Sequence, residues 1–269
     1  MTPIAVTIAG SDSSGGAGIQ ADIKTMTALG VYAESVITAL TAQNTTGVQG
    51  VVATDPAFVS LQMESVFSDI VPGAVKIGML PSAGIVAAVA DGLASHHARH
   101  VVLDPVMVAT SGAALSADEA VRALGERLLP LADVVTPNIP EAEVLSGLPI
   151  VSRADREAAA RAIQARGARA VLVKGGHGQG DADDVLLTAE GAVTWFSQER
   201  IATDNTHGTG CTLSSAIASY LARGADLAEA VERAKRYLTG ALAHDEHLGR
   251  GSGPVNHRWQ IDAALDEAR

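Results

Sequence analysis

Pro3-Ile-Ala-Val-Thr-Ile-Ala9 runs straight into Gly10-Ser-Asp-Ser-Ser-Gly-Gly-Ala-Gly18, and that into Ile19-Gln-Ala-Asp-Ile-Lys-Thr-Met-Thr-Ala-Leu29. The first stretch is an almost unbroken apolar run with no polar alternation. Such a strand is buried on both faces, as in a parallel sheet covered by helices. The second stretch is turn chemistry, since glycine, serine and aspartate tolerate the sharp backbone angles of a loop. The third reads as a helix. A strand, a glycine-rich loop and a helix in that order form the repeating unit of an α/β fold.

The same alternation continues along the chain. Strands are expected at residues 31–40, 74–77, 100–103, 132–135 and 170–173, with helices at 57–68, 85–96, 120–129 and 155–166 between them. A hairpin is expected from 185–188 and 192–196 around Glu190-Gly191, followed by helices at 212–223 and 227–244. No internal repeat, low-complexity tract or linker interrupts the pattern. The expectation is one α/β domain over residues 1–269, with a central, mostly parallel sheet flanked by helices on both faces. In open sheets of this kind the chemistry sits at the carboxyl ends of the strands.

Composition narrows the function. Of the 269 residues 47% are hydrophobic and 18% charged, enough for a large core and too few charges for wholesale disorder. The formal net charge of −11 repels nucleic acid and anionic membrane, so neither is an expected partner. The 3% aromatic content does not support a stacking platform for single strands. Cys211 is the single cysteine, which rules out an intramolecular disulfide and suits a reducing cytoplasm. The stretch from Met1 lacks a basic n-region and a long apolar run, and no segment approaches the ~20 apolar residues of a membrane span.

Gly16-Ala-Gly18-Ile-Gln-Ala21 has the form of a dinucleotide fingerprint, but that motif needs an acid at the end of the next strand. Glu34 lies near that strand's start, and its far end is Thr38-Ala-Leu-Thr41. The glycines therefore serve either a plain turn or a backbone that closely approaches a ligand. A second glycine cluster, Asp204-Asn-Thr-His-Gly-Thr-Gly-Cys-Thr-Leu-Ser214, precedes an apolar helical run. Gly208, Thr209 and Gly210 let amide hydrogens converge at a helix start, where free donors and the macrodipole hold phosphate. Cys211 occupies the same helix start, which favours thiolate character. It reads either as a small buried hydrophobe or as a base beside an attacking hydroxyl.

Carboxylates and a cation stand at other strand ends. Asp104 closes residues 100–103, and Asn138 and Glu141 follow 132–135 at the spacing of a capping box, which also suits two oxygen donors to Mg²⁺. Lys174 closes 170–173; only four of the nineteen basic residues are lysines, and one placed there suggests a point charge near phosphate. His244-Asp-Glu-His247 has a helical metal spacing without an evident third ligand.

Taken in order, Thr7-Ile-Ala-Gly-Ser-Asp-Ser-Ser-Gly-Gly-Ala-Gly-Ile-Gln-Ala-Asp22, Thr38-Ala-Leu-Thr-Ala-Gln-Asn-Thr45, Lys76-Ile-Gly-Met79, Leu103-Asp-Pro-Val-Met107, Thr136-Pro-Asn-Ile-Pro-Glu141, Val173-Lys-Gly-Gly-His177, Asn205-Thr-His-Gly-Thr-Gly-Cys211 and Gly251-Ser-Gly-Pro-Val-Asn-His257 resemble the hydroxymethylpyrimidine/phosphomethylpyrimidine kinases of thiamine biosynthesis, within the ribokinase superfamily. The resemblance implies a ribokinase-like sheet, a homodimer, and two successive MgATP reactions on one pyrimidine. It implies an anion hole from Gly208, Thr209, Gly210 and Cys211, with Cys211 as base. It implies Lys174, Asp104, Thr206 and His207 around ATP, and Asn138, Glu141 and Asp104 around Mg²⁺. Gln43, Asp22, Gly10, Met79 and Val106 would meet the pyrimidine, under a short flap, Ala109-Thr-Ser-Gly112. Pyridoxal kinase is the nearest alternative, and a non-catalytic pyrimidine sensor the next.

Overall fold

The computed structural model describes residues 2–107, 118–176 and 182–262. The expected flap at Ala109–Gly112 and His177 lie outside them. The described elements run β1 (Ile4–Asp12), α1 (Gly18–Ala28), β2 (Tyr32–Asn44), β3 (Gly47–Ala53), α2 (Pro56–Phe67), β4 (Ala74–Ile77), α3 (Ala83–Ser95), β5 (Val101–Leu103), α4 (Asp118–Arg127), β6 (Val134–Val135), α5 (Ile139–Ser146), α6 (Arg153–Gln164), β7 (Val171–Val173), β8 (Asp184–Leu187), β9 (Val193–Phe196), α7 (Thr209–Ala222) and α8 (Leu227–Ala243).

The strands form one sheet in the order β3-β2-β1-β4-β5-β6-β7-β8-β9. From β2 to β7 neighbours pair in parallel; β3 at one edge and β8 and β9 at the other pair antiparallel. Adjacent residues of one strand feed opposite cores. Val101 and Leu103 of β5 join the cluster under α2, α3, α4, α5 and α6, while Val102 between them joins the cluster under α1, α7 and α8. Two covered faces explain why these strands read as continuous apolar runs.

Two elements escaped the sequence reading. β3, Gly-Val-Gln-Gly-Val-Val-Ala, is largely exposed and carries two glycines, so neither burial nor propensity marks it. It exists because it pairs antiparallel with β2, from Ala39↔Ala53 to Asn44↔Gly47. α5 is eight residues long and holds Pro140 in its first turn, where a missing N–H costs nothing.

The chain leaves β1 for β2 on one side of the sheet and enters β4 on the other side of β1. That reversal opens a crevice at the carboxyl ends of β1 and β4. No described helix is long and apolar enough to cross a membrane.

Candidate active site

A cleft of about 1100 Å³ lies over the carboxyl ends of β1, β4, β5, β6 and β7. Its lining includes Gly10, Gln43, Met79, Asp104, Val106, Asn138, Glu141, Lys174, Thr206, His207 and the turn Gly208–Cys211. Residues from seven separate stretches of sequence are thus brought to one surface.

One end of the cleft is built by α7. Its N-cap, Gly208, has φ 82°, a left-handed conformation that favours glycine, and no side chain caps the helix. First-turn amides have no partner within the helix. A Cβ built on Gly210 would stand 3.3 Å from Asp104 Oδ2 and 3.5 Å from Lys174 Nζ, so a carboxylate and an ammonium abut the turn. Those two groups pair at 2.7 Å. Thr136 Oγ1 and Ser214 Oγ each donate to Asp104 at 3.3 Å. Burial alone would push the Lys174 ammonium down, but Asp104 and Glu141 more than offset it, so the lysine stays charged.

Asn138 and Glu141 do form a capping box: Asn138 Oδ1 accepts from Glu141 N at 2.9 Å, and Glu141 Oε2 accepts from Asn138 N at 2.8 Å. The box points Glu141 toward Lys174 and Asp104. Burial pushes its carboxyl up to about 7; the ammonium of Lys174 opposes this and Asp104 adds to it. Among the described residues no three His, Cys, Asp or Glu side chains form a metal cage. Asp104 and Glu141 are hard oxygen donors, and Mg²⁺ usually takes one or two carboxylates with waters and phosphate oxygens supplying the rest. This donor set fits an Mg²⁺ arriving with phosphates.

The other end is built by the loop after β1. Asp12 organises it, accepting from Ser14 N at 2.8 Å, Gly16 N at 3.2 Å and Ala17 N at 2.8 Å. Its Oδ2 also lies 2.7 Å from His207 Nε2. Burial pulls the Asp12 carboxyl up, yet the hydrogen bonds from His207 and Ser14 overcome it and leave it at about 2. His207, expected beside ATP, lines the cleft and contacts this loop; its Nε2 is also 3.4 Å from Gln43 Nε2. Gly10 and Met79 meet as well, since a Cβ on Gly10 would stand 3.1 Å from Met79 Sδ.

The two ends interlock through glycine. A Cβ on Gly208 would fall 1.9 Å from Gly16 O, and one on Gly16 would fall 2.4 Å from His207 Cδ2. Any side chain at either position would drive the loop after β1 and the turn at the start of α7 apart.

Two expectations are corrected. Asp22 does not reach the cleft: it is fully buried on α1, with Oδ2 accepting from Lys76 Nζ at 2.8 Å and from Thr7 Oγ1 at 2.6 Å. The apolar face of α1 turns it inward beneath the site. Cys211 lines the cleft, but the helix start does not give it thiolate character. Burial pushes the thiol up to about 11; Lys76 opposes the rise, and Asp22 and Asp104 add to it. Desolvation outweighs the charge of Lys76, so the sulfur carries its proton at neutral pH. Sequence reasoning also passed over Asp12 and Lys76. Asp12 had a signal, because aspartate followed by Ser-Ser-Gly-Gly is the pattern of a turn that bonds its own backbone.

His244-Asp-Glu-His247 holds no cluster for a metal. His244 stacks on Trp259 at 5.4 Å between centroids, and His247 Nδ1 lies 2.9 Å from Asn205 Nδ2.

Comparison with known proteins agrees with this geometry. The phosphomethylpyrimidine kinase family model matches residues 12–256. A hydroxymethylpyrimidine/phosphomethylpyrimidine kinase from Rhizobium meliloti is 54% identical, covering 97% of this chain and 100% of the relative. The thiamine biosynthesis bifunctional protein ThiED of Geobacter sulfurreducens is 56% identical over 94% of this chain, which spans about half (51%) of that longer relative. Among solved structures, an ADP complex of Bacillus subtilis pyridoxal kinase superposes with a TM-score of 0.89 at 37% identity, covering 97% of this chain and 99% of that one. The sheet order and helix layers are accordingly ribokinase-like.

Proposed function

The chain belongs to the phosphomethylpyrimidine kinase family, and we propose that it uses MgATP to phosphorylate 4-amino-5-hydroxymethyl-2-methylpyrimidine and then the resulting monophosphate, in thiamine biosynthesis. The observation that carries this reading is the meeting of Asp104 and Lys174 at Gly210, one residue from a cleft-lining Cys211.

Phosphoryl transfer demands positioning and charge stabilisation more than covalent chemistry. The amides of the turn Gly208–Cys211 and the Lys174 ammonium take up charge on the transferring group. Asp104 holds Lys174 in place until phosphate competes for it. Asp104 and Glu141 would hold an Mg²⁺ arriving with the phosphates, which would supply further charge neutralisation. On the acceptor side Gln43 offers an amide that both donates and accepts, matching an aminopyrimidine edge. Gly10, Met79 and Val106 give the flat ring an apolar wall. The Cys211 thiol, protonated at rest, first gives its own proton to solvent; the minor thiolate form, favoured by the charge of Lys76, then takes the acceptor's proton late in the transfer, when the forming bond has already acidified that oxygen. The second acceptor is a phosphate, already ionised near neutral pH, so Cys211 matters chiefly to the first transfer.

Pyridoxal kinase remains the second reading, on the strength of the pyridoxal kinase superposition. A homodimer fits the open edge strand β3 and the exposed Leu40, Val51, Val52, Phe58 and Leu61 around it. The single cysteine and acidic charge fit the cytoplasm. Product analysis after incubation with hydroxymethylpyrimidine and MgATP tests the function. Monophosphate followed by diphosphate is expected; no product with the pyrimidine alongside rapid phosphorylation of pyridoxal contradicts it.

A further inference from the structure

An α-helix start without a side-chain cap frays unless something else fixes it. α7 begins in that state, and its first turn is the phosphate turn. The fixing contacts come from residues 249–257, none of which lines the cleft.

This segment grips three parts of the site from behind. Arg250 N and Gly251 N each donate to Thr45 Oγ1 at 3.2 Å, anchoring the segment to the β2–β3 turn. Ser252 Oγ accepts from Thr206 N at 3.3 Å and donates to Asp204 O at 2.9 Å. Gly253 N donates to Asn205 Oδ1 at 3.0 Å, and Gly253 O accepts from His207 N at 3.0 Å. His257 Nε2 then meets Thr212 Oγ1 at 3.0 Å, one residue beyond Cys211. The fit is close: a Cβ on Gly251 would lie 2.0 Å from Thr45 O, and one on Gly253 2.2 Å from Asn205 Oδ1. Burial, with Lys24 and His207 nearby, pushes the His257 imidazole down to about 4, so it is neutral and has a lone pair for Thr212.

We propose that residues 249–257 form a positioning strap for phosphoryl transfer, with His257 fixing the first turn of α7 through Thr212 while Ser252 and Gly253 fix the approach to it through Thr206, Asn205 and His207. The proposal rests on the reading that this turn receives the transferring phosphate. None of its residues lines the cleft, so it acts on the placement of the turn and not on ground-state binding.

The test compares His257→Leu, His257→Asn and Ser252→Ala with the parent enzyme at equal folded fraction. A misplacement of the order of 1 Å costs about 100-fold in rate, so His257→Leu should lower kcat on the order of 10–100-fold with the KM for ATP nearly unchanged. His257→Asn, which keeps a polar partner for Thr212, should recover much of that loss. Ser252→Ala should lower kcat several-fold at unchanged Tm, and it carries the test by itself should His257→Leu not fold. A second readout needs no acceptor: iodoacetamide should alkylate Cys211, the sole cysteine, several-fold faster in His257→Leu because the turn is loosened. An unchanged kcat and alkylation rate would overturn the strap. So would kcat, KM and Tm falling together with Asn no better than Leu, since that marks a purely structural contact. Rates are taken with whichever of hydroxymethylpyrimidine or pyridoxal the parent phosphorylates. A parent inert toward the pyrimidine sinks the substrate reading alone, and one inert toward both leaves alkylation to decide the strap.

Discussion

Two lysine–aspartate pairs sit one layer apart in this molecule. Lys174 and Asp104 pair at 2.7 Å and line the cleft; Lys76 and Asp22 pair at 2.8 Å and are sealed beneath it. Both lysines lie at or near the carboxyl end of a strand. The pairs have the same chemistry and differ in access. Where phosphate can reach the pair, the ammonium can exchange its partner for substrate. Where nothing can reach it, the pair only offsets its own desolvation and fixes the packing of α1 on the sheet.

The sharpest way to break the comparison is to remove the sealed cation. Lys76→Met removes the cation that opposes the burial of the Asp22 carboxyl, already raised by desolvation, and should cost about 3–5 kcal/mol of stability, read from the urea midpoint. The double variant Lys76→Met/Asp22→Leu should regain much of it. If Lys76→Met leaves stability intact, the buried pair is not a fixture of the fold. Removing the open cation should act on rate instead. Lys174→Ala should lower kcat/KM by about 10²–10³-fold, the loss seen when one preorganised charge-stabilising donor is removed, with a smaller change in midpoint than Lys76→Met. An unchanged kcat/KM would deny Lys174 its phosphate role.

Cys211→Ala sharpens the contrast from the acceptor side. It should slow the first phosphorylation on the order of 10²-fold, the lower range for a general base, and the second by much less. Separate assays with the alcohol and with its monophosphate decide this; equal losses would remove the proton-accepting role.

A third acidic group, Asp12, lines the cleft yet organises a loop, so it tests whether access alone implies chemistry. Its folded carboxyl, at about 2, lies below its unfolded value. A depressed carboxyl contributes stability that is present above the unfolded pKa and lost as pH falls through the folded one. Asp12→Asn should therefore cost about 2 kcal/mol at neutral pH, and the difference in stability should shrink as pH falls from about 4 to 2. A difference that does not vary with pH would show that the charge on Asp12 does not hold the loop.

The sheet was largely legible because its central strands are buried on both faces and therefore uniformly apolar, as in Ala74–Ile77, whose bounds the sequence and the structure share. The edge strand β3 was not, because pairing with β2 alone makes it a strand. The capping spacing of Asn138 and Glu141 was readable since it is local. What sequence does not carry is depth. Asp22 sits on the helix after one glycine loop and Cys211 at the start of the helix after another, and only packing decides that the carboxylate is sealed under the site while the thiol, though open to the cleft, is desolvated enough to keep its proton. The contact of His207 with Asp12 was unreadable for a related reason: the two lie 195 residues apart in sequence.

The central claim is that the phosphate turn at Gly208–Cys211 receives the nucleotide's terminal phosphate. Alkylation of Cys211 by iodoacetamide at about pH 9, with and without saturating AMP-PCP and Mg²⁺, tests it directly, because the chain has one cysteine. A seated phosphate covers the sulfur and disfavours its thiolate, so the rate should fall about tenfold or more. A rate unchanged while calorimetry shows the nucleotide bound would contradict the account.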